Sequence, residues 1–323
     1  MGWKGALRSM EAAARRADRA AQKRHRELAR LQEMENAASA VEEFEGIVDG
    51  LRSAHRQEFS SIDWTEIESA LEPIIPANTY EKEAIAKQNL INFRPNILHK
   101  IFGTADKVRK KREIAIEVGK NEDKEENIKR LEEHEAQILE WKFNRKLSEK
   151  VLKKDTKAFA NALRKLGKFN ETELLVDKLV LSIEDDGSLS ATVTVSNTEI
   201  VPSEKYSLLR SGRLSVKNMP KTEFYTIYQD YVASTVLAVA NRILSTIPIE
   251  ELVVNASCTM LNKTNGKIED TTILSVFIPR ISIEQIVLRR VDPSDALQNF
   301  LYNQRFKKTS GFEAVGEVSR PTG

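Results

Sequence analysis

A single cysteine, Cys258, occurs in the 323 residues, so no internal disulfide and no Cys-rich metal site can form. Histidine is nearly as scarce. His25, His55, His99 and His134 all lie in the first half, and none has a His or Cys partner four residues away, the spacing a helical zinc site needs. The C-terminal half has no histidine, which excludes a His-based triad or a Cys/His pair there. No GxxxxGK[ST] loop and no Gly-rich strand-to-helix turn occurs, so P-loop and Rossmann nucleotide chemistry are excluded and no cofactor is expected. No apolar run approaches the ~18 residues of a membrane span. Arginines interrupt the N-terminus too often for the apolar core of a secretory signal. Glu11, Asp18 and Glu27 argue against a transit peptide, and Ala6 stands where a myristoylation motif wants Ser or Thr. With one cysteine, these absences lead to an expected reducing, cytoplasmic setting.

Charge is plentiful but balanced. Asp, Glu, Lys and Arg make up 30% of the chain and leave a net charge of +2, so only local segregation could attract a charged partner. Segregation is strongest at the N-terminus, where residues 1–30 carry nine Lys/Arg against three Asp/Glu before the chain turns acidic at Glu42–Asp49. Residues 3–58 read as one helix, or two joined near Glu35–Ser39. Good helix formers dominate, proline is absent until Pro73, and apolar residues such as Leu7, Met10, Leu28, Leu31, Val41 and Phe44 recur three or four apart. The seam is rich in alanine, which permits close approach but buries little per residue.

The fold class expected is α+β, with N-terminal long helices and a coiled-coil-like helical hairpin followed by an antiparallel sheet domain packed with one long core helix. The divisions expected are 1–60, a basic-then-acidic helix; 61–170, the helical hairpin region; 171–318, the α+β domain; and 319–323, a frayed tail. Asp63 reads as an N-cap with Glu66 three residues on. Residues 96–119 and 124–166 read as two helices paired antiparallel, with Gly119–Asp123 as the bend. Asp185-Asp186-Gly187-Ser188 separates two β-patterned runs as a hairpin turn, and Lys205–Val216 reads as a further short strand or pair around Ser211-Gly212. Residues 222–245 carry a wide apolar stripe and read as a core helix lying on the sheet. A second hairpin comes next at 251–261 and 271–280. Asp292-Pro293 then opens a short helix predicted to run to about Asn303.

Two constellations invite a chemical reading. A nuclease core of the PD-(D/E)xK type needs two carboxylates and a lysine on adjacent strands to hold and use a metal. Asp185 and Asp186 are the nearest metal candidates and Lys217 the nearest lysine, but Ser215 stands where the second carboxylate belongs, and the aspartates are explained by the turn. The second constellation is basic. Arg15, Arg16, Arg19, Lys23, Arg24, Arg26 and Arg30 on the first helix, with Arg210, Arg213, Lys217 and Lys221 further on, form a footprint for a phosphate backbone or an acidic partner. The competing reading pairs them with the acidic runs of the chain itself. A membrane surface fits poorly, because the apolar face of the first helix is mostly alanine.

The stretches Gly212-Arg213-Leu214-Ser215-Val216-Lys217, Tyr228-Gln229-Asp230-Tyr231, Asp292-Pro293-Ser294 and Phe306-Lys307-Lys308-Thr309-Ser310-Gly311-Phe312 resemble uncharacterised bacterial proteins that share a basic helical N-terminus and an α+β C-terminal half. The resemblance covers most of the chain and implies a bacterial cytoplasmic origin, with no activity attached. The function expected is non-catalytic interaction or assembly, with a protein partner or a second copy docked through the helical half. The alternative is a nucleic-acid-binding protein with a degenerate nuclease-like core.

Overall fold

The computed structural model describes residues 3–95, 102–167, 169, 176–183, 188–261 and 266–321, with residues 3–21 and 261 described by backbone alone. The chain forms two compact units, one of residues 1–62 with 155–323 and one of residues 63–154.

Helix α1 (Trp3–Ser53) runs unbroken for 51 residues, as its helix-forming composition and lack of proline predict. Every residue from Gln22 to Glu33 is exposed, and only from Met34 onward does one face become covered. A 3₁₀ turn, Ala54–Arg56, ends the helix.

The unit of residues 63–154 is helical. Asp63 caps α2 (Trp64–Ser69) by accepting from the Thr65 and Glu66 N–H groups, as expected. An extended stretch leads to α3 (Glu81–Ile91), and after it comes α4 (Ala105–Leu152), 48 residues long. The bend expected at Gly119–Asp123 is therefore not there. Gly119 and Asp123 are buried inside one continuous helix, and α3, not a second long helix, packs against α4. Instead of opening a bend, Gly119 lets the α3 backbone come close, with a Cβ there 2.9 Å from the Lys82 carbonyl.

The remaining elements complete the first unit. They are α5 (Thr156–Leu166), capped by Asp155, then β1 (Val176–Ile183), β2 (Leu189–Val195), β3 (Glu204–Leu208), β4 (Leu214–Asn218), α6 (Lys221–Thr246), β5 (Glu251–Leu261), β6 (Ile268–Pro279), α7 (Arg280–Glu284), α8 (Pro293–Ala296), β7 (Leu301–Lys307) and β8 (Gly311–Glu313). Six strands form one sheet in the order β1-β2-β5-β6-β7-β8, and β3-β4 stand apart as a two-stranded sheet. Ile183 pairs with Leu189, as a hairpin requires, although residues 184–187 of its turn, Asp185 and Asp186 among them, lie outside the described residues. The fold is α+β, but the sheet is mixed where an antiparallel one was expected. β2 and β5 run parallel, Ala191 beside Val254 and Val193 beside Ala256, because α6 carries the chain back across the sheet before β5 begins.

Helix α6 is the centre of the core. From Tyr231 to Ala240 every residue is buried, since the sheet packs on it from one side and the end of α1, the 3₁₀ turn and α8 from others. Asp292 caps α8 as expected, but that helix stops at Ala296. A 3₁₀ turn, Leu297–Asn299, continues it, and the helix predicted to reach Asn303 then gives way to strand β7, whose Leu301–Gln304 pair with β6. The C-terminal residues then cross the sheet. Val315 N–H donates to Thr272 O at 2.9 Å and Val318 N–H to Ser275 Oγ at 2.9 Å. Within the tail expected to fray from Ser319, the Arg320 guanidinium donates to Leu189 O at 2.8 Å.

Candidate interaction surface

Helix α4 holds its neighbours through one face. Residues Asp123, Asn127, His134 and Trp141 recur at steps of four and seven and so lie on one side of the helix. The Asp123 carboxylate, buried, accepts from the Lys82 N–H at 3.1 Å and the Glu83 N–H at 2.9 Å, capping the first turn of α3 from outside its own sequence. One turn on, Asn127 accepts from Thr79 N–H and donates to Thr79 O, both at 2.9 Å. His134 Nε2 meets Pro73 O at 3.1 Å, and Trp141 Nε1 donates to Ala70 O at 2.9 Å. These four side chains satisfy backbone groups of Ala70, Pro73, Thr79, Lys82 and Glu83. His134 is thereby a structural group.

With one face of α4 used this way, apolar side chains are left in the open. Ile114 is 64% exposed, Val118 49%, Ile128 47% and Leu139 69%; on the companion segment Leu71, Ile74 and Ile85 are also exposed. An open groove of about 710 Å³ runs between α3 and α4, lined by Ile85, Ala86, Ile114, Ala115 and Val118, with Lys82 and Glu122 among its polar residues. Contiguous exposed apolar surface is a common feature of interaction sites.

The basic residues of the first helix are only partly placed. Arg15, Arg16 and Arg19 lie in α1, described by backbone alone, while Lys23, Arg24, Arg26 and Arg30 are exposed. The β3-β4 hairpin lies along α1, with Tyr206 stacked on Phe44 at 5.7 Å. Its tip meets Met34, against which a Cβ on Gly212 would come within 2.4 Å; with φ +78°, Gly212 is a position where only glycine serves. That contact brings Arg213 to Glu33, 3.8 Å apart, within one turn of Arg30. Arg210 and Lys217 are exposed on the hairpin, and Lys221 is exposed at the start of α6. Lys217 therefore sits on the two-stranded sheet and not on the six-stranded one that a nuclease-like site would use.

Sequence reasoning missed a buried polar cluster that anchors α1. The Arg52 guanidinium meets the buried Asp230 carboxylate at 2.7 Å. Next to it, Ser234 Oγ accepts from the His55 N–H at 3.1 Å and lies 2.8 Å from His55 Nδ1. The hydroxyl proton then points to Nδ1, leaving Nε2–H to donate to Val291 O at 3.2 Å, so the network fits a neutral imidazole. Burial pulls the His55 pKa below the ordinary histidine value, against the opposing pull of the Val291 carbonyl. Asp230 is pushed up, chiefly by burial, with Arg52 opposing. Though Ser234 and His55 form the first two members of a nucleophilic relay, both are wholly buried, and their contacts dock the end of α1. Cys258 is buried as well, and burial pushes its thiol up, away from the reactive thiolate.

Among the described residues no group of three or more His, Cys, Asp or Glu is placed to hold a metal ion, and no helix is long and apolar enough to cross a membrane. Comparison of the chain with protein-family models, with curated proteins and with solved structures finds no match.

Proposed function

We propose that the protein is a non-catalytic interaction and assembly element, and that the helical unit of residues 63–154 presents the surface its partner covers. One observation carries this reading: large apolar side chains, Ile85, Ile114, Val118 and Leu139 among them, stand exposed, while Asp123 and Asn127 of α4 hold the unit together through hydrogen bonds to residues 79–83. The side chains with chemical potential, His55, Ser234, Asp230 and Cys258, are buried in structural contacts. The cytoplasmic setting belongs to the same proposal, and a buried, free Cys258 fits it.

The test is site-specific photo-cross-linking in cells that express the full chain. A cross-linking residue at Leu139 is expected to capture protein several-fold more than one at Gln298, which is exposed on the other unit. Equal capture at both positions would sink the interaction reading. An adduct of twice the chain mass identifies a second copy, and any other mass a different protein.

A second reading, nucleic-acid binding, is favoured by the exposed run Lys23, Arg24, Arg26 and Arg30 with Arg213 alongside. It predicts a mobility shift with DNA or RNA that falls steeply with salt, the affinity dropping by about a hundredfold from ~50 to ~200 mM if four phosphates are contacted. A shift that survives the added salt, or none at low salt, counts against it.

A further inference from the structure

We infer that two copies of the chain pair through α4, antiparallel, with Asn121 of each on the two-fold axis. This rests on the interaction reading and narrows its partner to a second copy. Ile114, Val118, Asn121, Glu125, Ile128, Glu132, Glu135 and Leu139 succeed one another at alternating steps of four and three, the spacing of a helix–helix seam. That stripe faces away from Asp123, Asn127, His134 and Trp141, which are turned toward residues 70–83.

Charge decides the occupant and its direction. Residues 105–121 of α4 carry six Lys/Arg against three Asp/Glu, and residues 122–140 carry eight Asp/Glu against three Lys/Arg. The boundary falls at Asn121. Parallel pairing of two such helices sets basic on basic and acidic on acidic, whereas antiparallel pairing about Asn121 sets each basic half on the other copy's acidic half. In that register Lys107 faces Glu135 of the second copy, Lys110 faces Glu132, Glu113 faces Lys129, and Ile114 faces Ile128. Among the described residues Lys107, Lys110, Glu132 and Glu135 make no ion pair within the chain, although several other charges of α4 do. The register also brings Glu117 toward Glu125 and Arg112 toward Arg130, contacts that Lys124 and Glu126 beside them moderate.

The groove completes the match. Ile128 of the second copy lands against Ile114, at the mouth of the space between α3 and α4 that Ile85, Ala86 and Val118 line. By symmetry each copy offers the groove once and fills the other's once, as an isologous contact requires. The two Asn121 amides meet on the axis and can hydrogen-bond to each other. A polar pair of that kind in an otherwise mixed seam fixes register and excludes slipped alternatives. The overlap, about 29 residues of helix, is roughly 40 Å long.

The experiment uses the full chain. Light scattering on the eluting protein is expected to give twice the chain mass at low salt, with dissociation favoured by added salt. Lys110→Glu should weaken the dimer by about tenfold, since each substitution turns two attractive contacts into two repulsive ones. Combining it with Glu132→Lys should restore most of the affinity. Asn121→Cys should form a disulfide-linked dimer on mild oxidation, because residues on the axis approach within bonding reach, while Glu133→Cys should not. A monomer across the dilution series overturns the inference, and so does a dimer that Lys110→Glu leaves intact or that Glu132→Lys fails to rescue. A monomer that still captures another protein from Leu139 overturns the second copy alone and leaves the interaction reading standing.

Discussion

Replacing Gly119 with leucine will detach α3 from α4. A Cβ at Gly119 would lie 2.9 Å from the carbonyl carbon and oxygen of Lys82 and 3.1 Å from the Glu83 nitrogen. These are backbone atoms, fixed by the first turn of α3, and cannot swing aside as a side-chain tip would. The contact sits one turn from Asp123, whose carboxylate caps the same two residues, so any shift of α3 also stretches the Lys82 and Glu83 hydrogen bonds. Overpacking of this kind costs about 1–3 kcal/mol, and the lost cap adds about 1 kcal/mol. Gly119→Leu is therefore expected to destabilise residues 63–154 by about 3 kcal/mol, read as faster hydrogen exchange over residues 82–91. Even Gly119→Ala should be destabilising, although alanine in an open helix site gains about 1 kcal/mol over glycine. Gly50 supplies the contrast. Nothing lies within 4 Å of a Cβ there, so Gly50→Ala in α1 should be neutral or stabilising. If Gly119→Ala leaves the exchange of residues 82–91 unchanged, the close approach is not what holds α3.

The same glycine shows where sequence reading stops. Gly119-Lys120-Asn121 has the composition of a helix end, and nothing local distinguishes a cap from a glycine that makes room for another backbone. What decides it is α3, about 35 residues earlier, and its distance cannot be read along the chain. The local rules did succeed where the partner is local. Asp63 and Asp292 cap the helices that come after them, and the apolar stripe of residues 222–245 becomes the buried helix α6. They failed where topology intervenes. The hairpins β1-β2 and β5-β6 were legible as hairpins, but the parallel contact between β2 and β5 depends on the crossover through α6. The stretch Leu301–Gln304 alternates too weakly to outweigh the helix start at Asp292, yet it supplies the hydrogen bonds that the edge of β6 would otherwise lack. At the candidate surface, the basic run of α1 and the charge reversal within α4 were visible in the sequence. The exposure of Ile114, Val118 and Leu139 was not, because it depends on which face of α4 residues 70–83 already occupy.

Removing Arg52 should loosen the anchor of α1, and the loss should depend on pH in a direction that identifies its cause. Arg52→Met keeps the aliphatic stem but leaves the Asp230 carboxylate buried without its cation. Breaking a buried ion pair from one side costs about 3–5 kcal/mol; Arg52 is 35% exposed, so the lower figure of about 2–3 kcal/mol is expected here. Burial already raises the Asp230 pKa and Arg52 holds it down, so the substitution lets it rise further. A carboxyl raised in the folded state favours folding below its unfolded value, and that contribution is lost as the pH climbs through its folded value. The deficit of Arg52→Met relative to the native chain should thus be full near pH 7 and shrink on acidification. His55 works the other way. Its lowered value supports the fold above about 6.5 and withdraws that support as the pH falls, but it does so in both proteins and cancels in the difference. Urea unfolding of the two proteins from pH 7 to pH 5 measures this. Adding Asp230→Leu to Arg52→Met should recover most of the stability at pH 7, because the penalty lies in the uncompensated charge and not in the lost contact. A deficit that stays constant with pH, or that the second substitution fails to recover, would place the anchor of α1 in the packing around His55 and Leu51 instead.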